Sequence, residues 1–355
     1  MMNAVAIHTK QGLEKVNRIK ILMALRWHEG LSKRELCALC NLSRPTVDKA
    51  IDAFLRDNLV EKDGYRESSG GRRSTLYRFN AQAKYAVGID LEIPELNLVL
   101  SDLNGQPVRT KSLTVPLKPD KPEPAIGFIA DEVVALIKQA DLTPHEIVGI
   151  GFGVPAFLAG DTITIRGHHL PNWSGVPAKS LLEKKLGLPV FVDNDTNFMA
   201  LAEWHKRCTD SPDKVLAYLA LRRGAGGDIR MGGSVVMDGK VFHGAHGNAV
   251  CLQGAYIELE AALQASNKSH ELATKLLDCL ITPMLHLIML FDPTRVVIDA
   301  AVLGEHEELF ICQCEAALKE RITAVFDRWD FCVEAAREKE LACAKGAALA
   351  VLQDL

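Results

Sequence analysis

No run of this 355-residue chain reads as long and apolar enough to span a bilayer. The most apolar stretch, Leu276 to Phe291, is interrupted by Asp278, Pro283 and His286 and reads as a buried helix, so no membrane partner is expected. Nothing in the first twenty residues reads as a signal peptide either, since they hold no apolar core followed by small residues. The nine cysteines form no disulfide framework. They are odd in number and scattered, as reduced thiols of a cytosol are, which makes a cytoplasmic location the expectation. Cys37 and Cys40 make one CxxC pair, but without a second pair nearby it does not point to a metal or redox site. What remains is the composition of an ordinary soluble protein, 48% hydrophobic and 24% charged, with room for two or three domains.

The net charge of −4 conceals an asymmetry. Residues 1–80 carry 15 Lys and Arg against 9 Asp and Glu, a net of +6, and leave 26 against 36, a net of −10, for the remainder. A basic head on an acidic body implies that only the head meets a polyanion.

The pattern within the head is more specific than its charge. Val16, Ile19, Ile21, Leu22 and Leu25 recur with a helical period that Gly30 ends. Ser32 and Glu35 form a capping box for a second helix that buries Leu36 and Leu39. After the turn Cys40-Asn41-Leu42, Ser43 caps a third helix with Pro45 in its first turn, burying Val47, Ile51 and Phe54 or Leu55. Two short helices around such a turn predict a helix-turn-helix whose second helix enters the major groove of double-stranded DNA. Its early exposed positions are Arg44, Thr46, Lys49 and Asp48. Arg44 can fork onto a guanine or a phosphate, and Lys49 can neutralise a phosphate. A small helical bundle with solvated charges is the plainer alternative. Leu59–Lys62 and Thr75–Phe79 read as two strands of a wing, with Arg66, Arg72 and Arg73 on a Gly-rich tip that can approach the backbone.

From Tyr85 the chain alternates strands and helices. Val87–Leu91, Leu96–Ser101 and Val108–Val115 read as a meander with an Asn104-Gly105 hairpin turn. A helix over Pro124–Ala140, a strand over Ile147–Gly153, a strand over Val190–Val192 and a helix over Thr196–Lys206 follow. The strand Val215–Ala220, two strands flanking Asp238-Gly239, and helices around the strand Arg295–Ile298 complete an α/β body of two lobes. We expect domains at 1–80 and 81–355, the latter with lobes of roughly 81–200 and 201–355.

Several motifs of this body form a set: Val87-Gly88-Ile89-Asp90, the run Gly149 to Pro155, Pro171-Asn172-Trp173, Asp193-Asn194-Asp195-Thr196-Asn197, Asp238-Gly239-Lys240, Gly244-Ala245-His246-Gly247 and Lys345-Gly346-Ala347-Ala348. With them the chain resembles the ROK family of repressors, open reading frames and sugar kinases. The resemblance implies an actin-like, hexokinase-like two-lobed fold whose cleft holds a sugar and, in the kinases, ATP. It places Asp195 at the family's catalytic base, and Asn172 and Asn194 at positions that hydrogen-bond sugar hydroxyls. Asn194-Asp195 also suits a helix N-cap.

Departures from the family are concentrated where nucleotide binds. The first phosphate loop, Asp-x-Gly-Gly-Thr in the family, is here Asp90-Leu91-Glu92-Ile93-Pro94, where Pro94 offers no amide and Glu92 repels phosphate. Gly-Thr-Gly-Ile-Gly aligns with Asp228-Ile229-Arg230-Met231-Gly232, and a late Gly-Gly with Ala300-Ala301 after Asp299. The family's zinc cysteines, CxCGxxGC, are absent. Cys251 stands at the family's sugar-binding Glu and Gly254 at its His, while Glu258 matches a later Glu. Cys312 and Cys314 form a CxC on a helix, read as buried. The expectation is a repressor of carbohydrate uptake or catabolism genes, a homodimer or higher homo-oligomer, that binds an operator and a sugar-like effector, without kinase activity, cofactor or metal. An active sugar kinase, and a regulator with a vestigial pocket controlled by a protein partner, are the rival readings.

Overall fold

In the computed structural model, residues 10–66, 73–92, 94–116, 121–160, 162–164, 170, 172–207, 213–223, 229–250, 252, 269–324 and 330–353 are described. The chain divides into two compact units, Met1–Tyr85 with Asp102–Gln106, and Ala86–Ser101 with Pro107–Leu355.

In the first unit, helix α1 (Lys10–Trp27) precedes α2 (Lys33–Cys40) and α3 (Arg44–Arg56). Strands β1 (Leu31–Ser32), β2 (Val60–Tyr65) and β3 (Thr75–Phe79) form an antiparallel sheet in the order β1-β3-β2. Ile21, Leu25, Leu36, Val47, Ile51, Phe54 and Tyr77 share one core. The capping box is present: Ser32 Oγ accepts from the Glu35 amide at 3.3 Å, and Glu35 Oε2 accepts from the Ser32 amide at 2.9 Å. Two sequence expectations need correction. Leu39 is 55% exposed, because the buried stripe of α2 runs through Leu36 and Cys40, one turn apart. Ser43 has cap geometry but no cap bond, since its Oγ lies 2.8 Å from Thr46 Oγ1 instead of engaging the amides. Strand β1 was not foreseen, as two residues carry no period.

The second unit contains two five-stranded sheets. The first runs β10-β7-β4-β5-β6, from β4 (Tyr85–Glu92), β5 (Glu95–Asp102), β6 (Pro107–Thr114), β7 (Ile147–Val154) and β10 (Val190–Asn194). At the β5–β6 turn, Asp102 Oδ1 accepts from the amides of Asn104 and Gln106, both at 2.9 Å, which holds the expected hairpin. Helices α4 (Pro122–Gln139) and α5 (Ala178–Leu186) pack together, and a small ribbon of β8 (Phe157–Ala159) and β9 (Thr162–Thr164) follows β7.

The second sheet runs β13-β12-β11-β14-β15, from β11 (Val215–Arg223), β12 (Ile229–Met237), β13 (Lys240–Val241), β14 (Arg295–Asp299) and β15 (Cys332–Ala335). Helices α7 (Ser269–Phe291) and α8 (Glu307–Thr323) share a core with it. The sequence underestimated α7. Its Ala273–Phe291 portion is long and apolar enough to cross a membrane by length and composition, because the helix begins upstream of the apolar stretch. Leu276, Leu280, Ile281, Met284, Leu287 and Ile288 of this helix are nonetheless buried against the sheet. The CxC expectation is half corrected: Cys314 is buried and Cys312 exposed, since residues two apart cannot share a narrow helix face.

Helix α6 (Asp195–Arg207) and helix α9 (Ala342–Leu352) lie back to back between the sheets. The α9 helix packs on β7 and α6 on β12. A Cβ at Gly346 would fall 1.8 Å from the Phe198 carbonyl, and one at Gly151 2.1 Å from the Ala347 carbonyl, so backbones touch directly there.

Candidate functional site

On the head, α3 presents Arg44, Thr46 and Lys49, and the strand after α3 brings Arg66 beside α2. Each of the three cations has an acidic partner. Arg44 Nε donates to Asp48 Oδ1 at 3.1 Å and Oδ2 at 3.2 Å, Lys49 Nζ lies 2.6 Å from Glu14, and Arg66 Nη1 lies 2.5 Å from Glu35. Thr46 shares its hydroxyl with Ser43, and Arg73 is exposed at the start of the returning strand. Arg72 falls outside the described residues. The pairs are solvent-exposed, with side chains 30–73% accessible, so each contributes little to stability, and those of Lys49 and Arg66 are open to exchange with a phosphate.

In the body, Asn194 and Asp195 stand where β10 passes into α6, at the wall of a small pocket of about 40 Å³. Glu92, Pro155, Arg222, Arg230 and Gly232 complete the part of the wall that matters here. Asn194 is the helix cap: its Oδ1 accepts from the Thr196 amide at 3.1 Å while its Nδ2 donates to the Ala156 carbonyl at 3.1 Å. Asp195 Oδ1 accepts from the Thr196 amide at 2.7 Å. Burial raises the Asp195 carboxyl to about 6, with Arg222 opposing the rise and Asp90 and Glu92 adding to it. Asn172 is exposed in a left-handed turn (φ 66°) outside this wall, and Glu258 falls outside the described residues.

Glu92, at the position that the resemblance gives to a phosphate-loop glycine, reaches across the pocket. Its Oε2 lies 2.8 Å from Arg222 Nη2 and its Oε1 3.8 Å from Arg230 Nη1. Burial disfavours the Arg222 charge, but Glu92, Asp90 and Asp195 outweigh it and hold the guanidinium firmly protonated. Asp90 itself is buried; its Oδ2 accepts from Asn97 at 3.3 Å, and its Oδ1 has no hydrogen-bond partner of good geometry beside the Cys343 thiol. A nucleotide does not fit these residues, because a carboxylate already lies between the two guanidinia of the pocket. The zinc of the family does not fit either: the sequence from 248 to 278 holds a single cysteine, Cys251, where the family has three, and among the described residues no three His, Cys, Asp or Glu side chains could hold an ion.

Two further links cross between the lobes. Asp193 Oδ2 lies 2.7 Å from His243 Nε2, and this contact, against the opposing effect of burial, raises the imidazole pKa. Asp193 Oδ1 accepts from Asn197 at 2.9 Å, and Asn197 accepts from Ser234 at 2.8 Å, so a polar chain runs from β12 to the segment after β13. Asn248 donates to the Leu158 carbonyl at 2.9 Å and accepts from the Leu158 amide at 3.1 Å, as a paired strand would. Sequence reading missed Arg222, Arg230 and His243. One signal was available for Arg222: a charged residue ending an apolar strand at the edge of the second loop.

Residues 86–252 match the ROK family, and residues 16–61 match a winged helix-turn-helix DNA-binding domain. Along the chain, the ROK match thus follows the winged helix-turn-helix match. Curated relatives include a xylose repressor of Caldicellulosiruptor bescii, 29% identical over 67% of this chain and 57% of that protein. A xylose repressor of Bacillus subtilis is 27% identical over 66% of this chain and 59% of its own length. The chain thus spans less than two thirds of the length of these relatives. Among solved structures, a ROK family transcriptional regulator described as a homologue of the E. coli MLC protein superposes with a TM-score of 0.71, at 17% identity, over 96% of both chains. A ROK hexokinase from Thermus thermophilus superposes at 0.60 and 21% identity, over 76% of this chain and 98% of that one. The fold is therefore a winged helix-turn-helix followed by a two-lobed α/β domain of the kind these structures have.

Proposed function

We propose that this protein is a cytoplasmic, DNA-binding repressor whose ROK domain responds to a sugar or sugar derivative and does not phosphorylate it. The observation that carries this reading is the Glu92 carboxylate set between Arg222 and Arg230 where a kinase needs open phosphate loops. A head with a helix-turn-helix and a basic wing supplies the output, and the xylose repressors among the relatives indicate the class of effector. Arg44, Thr46, Lys49, Arg66, Arg72 and Arg73 form the proposed DNA surface. Asn194 and Asp195 are the proposed effector contacts, with Asn172 and Glu258 joining them on the family resemblance alone. Two copies act together, since one head contacts too few bases to select a site in a genome.

Two measurements on the full chain test the reading. Duplexes enriched from a randomised pool should be released, or bound more tightly, when xylose or a related pentose is added. A coupled assay of ATP turnover over a panel of sugars should give no rate above background. Turnover with any sugar would return the protein to the kinases, and enrichment of no sequence would remove the regulator reading.

A further inference from the structure

The DNA reading leaves unassigned the acidic side chain among the early exposed positions of α3, Asp48. Asp48 lies one turn after Arg44 and binds it through Nε alone. Both carboxylate oxygens are used on that single nitrogen, and the two terminal nitrogens of Arg44 make no bond among the described residues. The same Asp48 Oδ1 accepts from Lys33 Nζ at 2.9 Å, and Lys33 begins α2, the first helix of the turn motif. Lys33 is only 16% exposed and is itself fixed, with Asp52 3.5 Å away and the Tyr77 ring beneath it at 5.7 Å. Lys33 and Arg44 together pull the Asp48 carboxyl below its ordinary range.

While Asp48 holds Nε, the edge of Arg44 left open is the one bearing Nη1 and Nη2. That edge is the one that forks onto the O6 and N7 of guanine. We propose that Asp48 is a specificity-determining positioning residue: anchored by Lys33, it aims the terminal nitrogens of Arg44 at a guanine edge in the operator half-site. This rests on the DNA-binding reading above. An exposed pair of this kind adds little to stability, so its effect falls on base choice. The carboxylate also repels phosphates along the duplex, so Asp48 weakens binding to unselected sequence while sharpening selected binding.

The test uses the full chain and duplexes enriched by the parent from a randomised pool, with a scrambled duplex of the same composition as reference. Arg44→Ala should lose one guanine preference per half-site. Asp48→Ala should lose the same preference, with discrimination at that base down about tenfold, and should bind the scrambled duplex about threefold more tightly. The double variant should discriminate no worse than Arg44→Ala alone, and Asp48→Glu should restore part of the preference. Asp52→Asn, which touches Lys33 and leaves Arg44 alone, should keep it, and the melting temperature should stay level across the set. If Asp48→Ala retains the base preference that Arg44→Ala loses, the positioning role is overturned and the DNA reading stands. If the parent enriches no sequence at all, both fall.

Discussion

The head and the body of this chain use ion pairs in opposite ways. On the head the pairs Arg44–Asp48, Lys49–Glu14 and Arg66–Glu35 are exposed, and every cation has water at hand. In the body, Glu203 of α6 is fully buried against Arg207, which also binds Glu334 and the Ala335 carbonyl, while Glu203 accepts from the amides of Arg337 and Glu338. An exposed pair adds little to stability, so at Lys49 and Arg66 a phosphate can take the acid's place, while at Arg44 the acid can stay and aim the cation. A buried pair cannot be opened without stranding a charge, so it fixes geometry. The difference lies in solvent, since the residue types are the same.

The sharpest way to break this comparison is to delete one acid from each region. Glu203→Ala should lower the unfolding free energy of the body by about 3–5 kcal/mol, because Arg207 is then left partly uncompensated. Glu14→Ala on the head should cost less than about 1 kcal/mol. Denaturant unfolding of both variants decides it, and equal losses would dissolve the distinction. Next in size is the loss of DNA affinity: Arg44→Ala should weaken binding to an enriched duplex by about 1–3 kcal/mol, read by fluorescence anisotropy, with little change on scrambled duplex.

Two smaller effects belong to the cleft and depend on pH. The native Asp195 carboxyl keeps its proton up to about pH 6, whereas an unfolded aspartate releases it near 3.8. The native state therefore binds more protons between those values, and stability falls as pH rises through them. Asp195→Asn should remove that penalty and raise stability at pH 7 by about 1–2 kcal/mol, with the gain vanishing towards pH 4 and the response to effector blunted. A variant less stable than the parent at pH 7 would mean that the bond to Thr196 outweighs burial. His243 has the opposite sign. Its native pKa is raised by Asp193, so its contribution is complete below 6.5 and is lost as pH rises through the native value. His243→Gln should flatten stability against pH above 6.5 by less than about 1 kcal/mol, a slope best followed by thermal unfolding at several pH values.

Much of this was legible in the chain itself. The periods of Val16–Leu25 and Val47–Phe54, the Ser32–Glu35 box and the Asn104-Gly105 turn are local signals, and the structure carries each where its residues stand. The change at Glu92 was also visible, but only as a lost glycine. That its carboxylate would find Arg222, 130 positions away, is a property of two strand ends meeting across a pocket. His243–Asp193 and Asn248–Leu158 are hidden for the same reason. Local pattern reports what a residue does to its neighbours in sequence and is silent on which strand ends converge. Ser43 shows the reverse failure: its local signal is right for a cap, yet the Thr46 hydroxyl takes the bond.

The seam between the lobes sets a limit of another kind. At Gly346 and Gly151 one backbone rests on another, and the smallest side chain that could be added would sit inside a carbonyl oxygen's radius. Elsewhere a core can absorb a change by letting a leucine turn or a methionine uncoil. Here no side chain stands between the two surfaces to do so. A single extra methyl at Gly346 has to move a whole helix, and with it the angle between sheets that hold Asp195 on one side and Arg222 on the other. A new side chain in the pocket meets open space or another side chain; at the seam it meets backbone, which has almost no room to give.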